Sequence, residues 1–146
     1  MDFGLSAAAA FNPKNQQTYV SSYNDSSTLL YVMNDTTDRL INRFDIGTIR
    51  SPIQTMAVNP STNNIYLIKD GSDNLTIIDG ITGQPKGEIH VDKRPTAIDI
   101  YAEHNLKYIA NSDSNTISII DGIKNEVLVG LLFNSIYLLN QGTFTA

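Results

Sequence analysis

The chain contains no cysteine and no tryptophan, and only two of its 146 residues are histidine. Without cysteine there is no disulfide, no thiolate metal site and no thiol nucleophile, so packing and hydrogen bonds alone must hold the fold. Basic residues are scarce: 10 Lys and Arg stand against 15 Asp and Glu, a formal net charge of -5. Nucleic acids and anionic membrane surfaces require a basic face, which this composition does not supply. Charged residues amount to 17% and apolar ones to 41%, proportions of a folded rather than a disordered chain. The most apolar segment, Val127 to Phe133, has the length of one buried strand, far short of the roughly 20 residues of a membrane span. No basic residue precedes Lys14, and the run Ala7-Ala8-Ala9-Ala10 is too short for the core of a secretory leader. The length predicts one domain, soluble as it stands and without a membrane span.

What the chain does have is a repeat. Ile65-Tyr66-Leu67-Ile68 lies over Lys107-Tyr108-Ile109-Ala110, and Leu75-Thr76-Ile77-Ile78-Asp79-Gly80 over Ile117-Ser118-Ile119-Ile120-Asp121-Gly122, without a gap. Tyr66 and Tyr108 set the offset at 42 positions. A drifted copy stands at the start, where Phe11-Asn12-Pro13 resembles Val58-Asn59-Pro60 and Tyr19-Val20-Ser21 takes the place of Tyr66-Leu67-Ile68. A period of about 40–45 residues belongs to propeller blades or helical arrays. The local pattern decides between them. Each unit carries short runs of Val, Ile, Tyr and Thr in which polar and apolar residues nearly alternate, the period of half-buried strands. The second unit predicts strands over residues 55–58, 65–68, 75–79 and 86–91, and the third over 97–101, 107–110, 117–121 and 126–131. Asp-Gly links and Asn- and Ser-rich links between them tolerate the left-handed backbone of tight hairpins. Pro52 and Pro95 open the units ahead of the first strand, where a missing N–H costs no ladder bond. The expected fold is all-β, a partial β-propeller of about three four-stranded antiparallel blades over residues 5–47, 51–91 and 94–131, with 132–146 as a tail.

These residues resemble the YVTN family of propeller repeats. The resemblance rests on Pro52, Ala57-Val58-Asn59-Pro60, Ile65-Tyr66 and Ile77-Ile78-Asp79, and on Pro95, Tyr108-Ile109-Ala110-Asn111 and Ile117-Ser118-Ile119-Ile120-Asp121. It covers about residues 5–131. Lys69 stands in place of the signature Asn in the second unit, Asn34 near the Asp position in the first, and Tyr101-Ala102-Glu103 in place of the Asn-Pro turn in the third. The resemblance implies secreted or surface-layer proteins, many archaeal, that bind or adhere, and it shades into lactonase-like propeller enzymes. Closed propellers have 4–8 blades, and seven need roughly 290 residues. The chain is therefore expected to be a fragment of a longer protein, to close a ring with copies of itself, or to form an open stack with capped ends.

Candidate chemistry is sparse. The turns Asp70-Gly71-Ser72-Asp73-Asn74 and Asn111-Ser112-Asp113-Ser114-Asn115 offer oxygen ligands, but neither has the Gly and Glu spacing of an EF-hand. They are expected to be solvated hairpin turns, and Asp70, Asp73, Asn111 and Asp113 are the residues on them that would face a ligand. Asp79 and Asp121 recur once per blade, as a group accepting the same turn N–H bonds each time would. His90 and His104 fall in different blades without metal-ligand spacing, and no Gly-x-Ser-x-Gly marks a serine nucleophile. Tyr19, Tyr66 and Tyr108 are expected to pack between blades. Asn24, Asn34 and Asn74 open glycosylation sequons, in numbers that abundant Asn, Ser and Thr produce by chance. The sequence thus predicts a non-catalytic binding or adhesion module, without cofactor or metal. A protein or glycan partner would meet the loops or the channel mouth, at the cell surface or outside the cell if a longer chain is exported. The alternatives are a piece of a lactonase-like hydrolase and a structural repeat for surface-layer assembly.

Overall fold

The computed structural model describes residues 5–24, 26–47 and 52–132. Among them are twelve strands and no helix. The first blade comprises β1 (Leu5–Asn12), β2 (Gln17–Tyr23), β3 (Thr28–Asn34) and β4 (Arg39–Asp45). The second comprises β5 (Ile53–Asn59), β6 (Asn64–Lys69), β7 (Asn74–Asp79) and β8 (Pro85–His90), and the third β9 (Pro95–Tyr101), β10 (Leu106–Asn111), β11 (Thr116–Asp121) and β12 (Glu126–Leu132). Each blade is an antiparallel meander in chain order. The first strands, β1, β5 and β9, are successive neighbours in space, while the blades share no ladder. Every strand expected in the second and third units is present. Pro95 is the first residue of β9, paired with Asn111, rather than ahead of the strand. Leu132 belongs to β12, and residues 133–146 of the expected tail lie outside the described residues.

The repeat is written into the backbone as well as the side chains. The fourth strand of each blade slips register at one place, opposite Val32/Met33, Ile77/Ile78 and Ile119/Ile120. Bulges of this kind bend and twist a strand, and their recurrence gives the three sheets a common curl. The turns between the first and second strands carry a positive φ at Gln16, Asn63 and Asn105, and those between the third and fourth at Asp38, Gly83 and Asn125.

Alternation along the strands builds two cores, one at each joint. In β6, Ile65 and Leu67 face the first blade, with Tyr19, Leu30 and Val32 opposite. Tyr66 and Ile68 face the third blade, with Ile109 and Ile120 opposite. A strand apolar on both faces is the signature of a sheet covered on both sides, and β6 is buried along nearly its whole length. By contrast β12 is almost entirely exposed, with Val127, Leu128 and Val129 open to solvent. Tyr108 departs from the expectation of packing between blades. It points to the face of the third blade that no described blade covers and is 37% exposed, whereas its counterparts Tyr19 and Tyr66 are fully buried.

Candidate functional site

Loops gather at the two ends of the blade stack. At one end the second-to-third strand turns of the second and third blades meet the link between these blades, residues 91–94. Backbone hydrogen bonds fix the link. Val91 N–H donates to the Asp73 carbonyl at 3.0 Å, and Ser112 N–H to the Arg94 carbonyl at 2.8 Å. Side chains add to this: Arg94 N–H donates to Asp73 Oδ1 at 2.9 Å and Lys93 N–H to Ser114 Oγ at 2.6 Å. The Arg94 guanidinium also reaches Asp113 Oδ1 at 3.4 Å, with both side chains well exposed. Exposed pairs of this kind contribute little to stability. Their effect is to present charge. Asp70, Asp73 and Asp113 line a depression of about 240 Å³ together with Lys93 and Arg94.

Three of the four residues expected to face a ligand therefore share one surface. Asn111 does not. It ends β10, fully buried, and donates to Ser118 Oγ at 2.9 Å and Thr116 Oγ1 at 3.2 Å within its own blade. The sequence placed it in a solvated turn because polar residues follow it; the neighbouring blade covers it instead. Thr116 continues this buried network to Asp92 Oδ2 at 2.6 Å. Lys93 and Arg94 were missed, because a link between blades carries no motif of its own.

The carboxylates that recur by blade are spent on turns. Asp79 Oδ1 accepts from Ile81 and Thr82 N–H at 2.8 and 3.0 Å, and Asp121 Oδ1 from Ile123 and Lys124 N–H at 2.7 and 3.2 Å. Asn34 makes the same pair of bonds in the first blade. These donors hold both Asp carboxyls below the usual carboxylate range. His90 contacts Asn74 Oδ1 at 3.0 Å, and His104 packs on the Tyr101 ring, each exposed and in a different blade. No group of three or more His, Asp or Glu among the described residues is placed to hold a metal ion.

At the other end, neighbouring blades are pinned by carboxamides. Asn12 Nδ2 donates to Asn63 Oδ1 at 2.8 Å, and Asn59 Nδ2 to Asn105 Oδ1 at 2.7 Å. The Asn of each Asn-Pro turn thus grips the left-handed Asn of the next blade. At the first joint the Tyr19 hydroxyl also lies 3.0 Å from Asn63 Oδ1, while the buried Tyr66 hydroxyl at the second joint makes no bond to the third blade. Tyr19→Phe is expected to cost about 1 kcal/mol in chemical denaturation and Tyr66→Phe less, because only the first removes a hydrogen bond across a joint. Equal costs would show that the two joints are bonded alike.

The sequence matches no family model and no curated protein. Solved structures do match. Hydrazine synthase from Kuenenia stuttgartiensis superposes with a TM-score of 0.71 at 20% identity, covering 89% of this chain and 36% of its own. The Dos1 propeller gives a TM-score of 0.70 at 14% identity, covering 86% and 33%. A Bacteroides caccae protein of unknown function gives 0.71 at 11%, covering 92% and 48%. The chain thus spans a third to a half of the length of these matches. No helix among the described residues is long and apolar enough to cross a membrane. Three four-stranded antiparallel sheets and propeller neighbours make this chain three blades of a β-propeller.

Proposed function

We propose that these blades form a non-catalytic binding module of a cell-surface or extracellular propeller protein, recognising a protein or glycan partner through the loop face at residues 70–73, 93–94 and 113. One observation carries this reading. Two blades and the link between them bring three carboxylates and two cations into a single exposed depression, held by backbone bonds and by the Asp73 and Ser114 side chains. Such a surface recognises by charge and shape. The resemblance to YVTN repeats supports the surface setting.

The test is binding of the immobilised chain to arrays of glycans and of extracellular matrix proteins. Saturable binding is expected, weakened by salt and reduced about tenfold by Arg94→Glu, a change of about 1.4 kcal/mol, with the melting temperature unchanged. Failure to bind any array member, together with hydrolysis of lactones in the presence of divalent cations, would replace this reading by a propeller hydrolase.

A further inference from the structure

The two joints use the same positions but not the same residues. At the first, the second blade presents Ile65, Leu67 and Ile78, all buried. The matching positions of the third blade are Lys107, Ile109 and Ile120. An ammonium thus stands where the first joint has an aliphatic side chain. It has no hydrogen-bond partner, and Asn111 Oδ1, on the same face of β10, has no donor. A buried charge without a partner favours any state in which water reaches it.

The bonds across the joints differ in the same sense. Asn63 Oδ1 takes Asn12 Nδ2 at 2.8 Å, with the Asn15 amide at 3.4 Å and the Tyr19 hydroxyl at 3.0 Å. At the second joint Asn59 Nδ2 donates to Asn105 Oδ1 at 2.7 Å, but Thr62 stands in place of Asn15 and the Tyr66 hydroxyl makes no bond to the third blade. Lys107 lies at this pinned end, since a Cβ on Gly122 would meet both its Nζ and Asn105 Oδ1. The other end is tied through the chain. There the link at residues 91–94 is bonded to both blades, by Val91 N–H to the Asp73 carbonyl and by Ser112 N–H to the Arg94 carbonyl.

The groups around Lys107 do not neutralise it. Asp121 attracts it through space, but Asp121 Oδ1 is spent on Ile123 and Lys124 N–H. Tyr66 of β6 offers its ring, and burial pushes its phenol above the usual range, so it stays neutral. On β9, Asp99 and Tyr101 pair with Tyr108 and Leu106 and share their opposite face. Glu103 and His104 before β10, and Lys124 and Glu126 after β11, are exposed.

We infer that the second joint is a hinge: the third blade opens from the second as a unit about the link at residues 91–94, and the charge on Lys107 drives the opening. Blades that share no ladder can part without losing their own sheets. In the closed joint the Lys107 pKa is pulled down to about 8, against 10.5 once it is hydrated. The open state therefore holds more protons, and raising the pH closes the joint. Between pH 7 and 9 the open fraction falls about tenfold. The inference concerns the end opposite the loop face and does not depend on the binding reading.

Because the chain has no cysteine, a single introduced thiol reports on each joint. Ser118→Cys probes the second joint and Ser21→Cys the first, both at positions 1% exposed. The rate of labelling by a thiol reagent, divided by that of the same variant in denaturant at the same pH, measures the open fraction. At pH 7 the Ser118→Cys thiol is expected to be open about tenfold more than the Ser21→Cys thiol. It should close about tenfold on going to pH 9, and Lys107→Met should close it at both pH values. Ile120→Cys, opposite Lys107 in the ladder, is the second reporter should Ser118→Cys fail to fold. Equal labelling at the two joints at pH 7 would mean that the stack opens only as a whole. Labelling at the second joint that changes neither with pH nor with Lys107→Met would mean that the charge is not the cause. Either result overturns the inference.

Discussion

Replacing Lys107 by Met is expected to stabilise the protein by about 2 kcal/mol at pH 7 and to flatten its stability above pH 8. Lys107 stands on β10 at the place that Ile65 occupies on β6, and like Ile65 it is fully buried at the joint with the preceding blade. Its ammonium has no hydrogen-bond partner and lies 4.6 Å from the centroid of the Tyr66 ring. A cation over a ring gains about 0.5–2 kcal/mol, less than the loss of hydration of an unpaired charge. Burial accordingly pulls its pKa down to about 8 from 10.5, with the Asp121 carboxylate opposing. Because the folded value is below the unfolded one, the unfolded chain holds more protons between about pH 8 and 10.5, so stability rises with pH across that window and levels off above it. Met keeps the length of the stem and removes the charge. Denaturant midpoints taken from pH 7 to 10.5 would show a rising wild type and a level variant. A level wild type, or a variant less stable at pH 7, would mean that the ammonium is compensated inside the joint.

Lys107 also marks where the sequence stops being legible. The strands of the second and third blades could be read from alternation and from turn residues, because both signals are local. The alignment even set Lys107 over Ile65, but residue type alone favours solvent for a lysine, and only the packing of the preceding blade shows otherwise. Asn111 misled for the same reason. Asn12 and Asn59 were legible as turn residues, since Asn-Pro is a turn signal, yet their grip on Asn63 and Asn105 joins positions 51 and 46 residues apart.

The first joint should fail at Asn63. This residue has a φ of 56°, accepts from Asn12 through its side chain, lies within bonding distance of the Tyr19 hydroxyl, and accepts Gly80 N–H on its carbonyl at 2.9 Å. Asn63→Ala removes the side-chain acceptor, strands the Asn12 amide in a buried place, and puts an alanine in the left-handed region. The stranded donor costs about 1–3 kcal/mol and the backbone about 1, so a loss of about 3 kcal/mol is expected. Asn63→Gly separates the two causes, recovering about 1 kcal/mol because glycine adopts this φ freely. Asn105→Ala is the internal control: it loses the Asn59 bond but no tyrosine contact, and should cost less. Gly80→Ala attacks the same pin from the other side. A Cβ there would collide with the Asn63 carbonyl and side chain, and relieving the collision breaks the Gly80 N–H bond, so a loss of about 3 kcal/mol or more follows. Chemical denaturation of the four variants measures all of this. If Asn105→Ala costs as much as Asn63→Ala, the tyrosine adds nothing and both joints rest on the carboxamide pair alone.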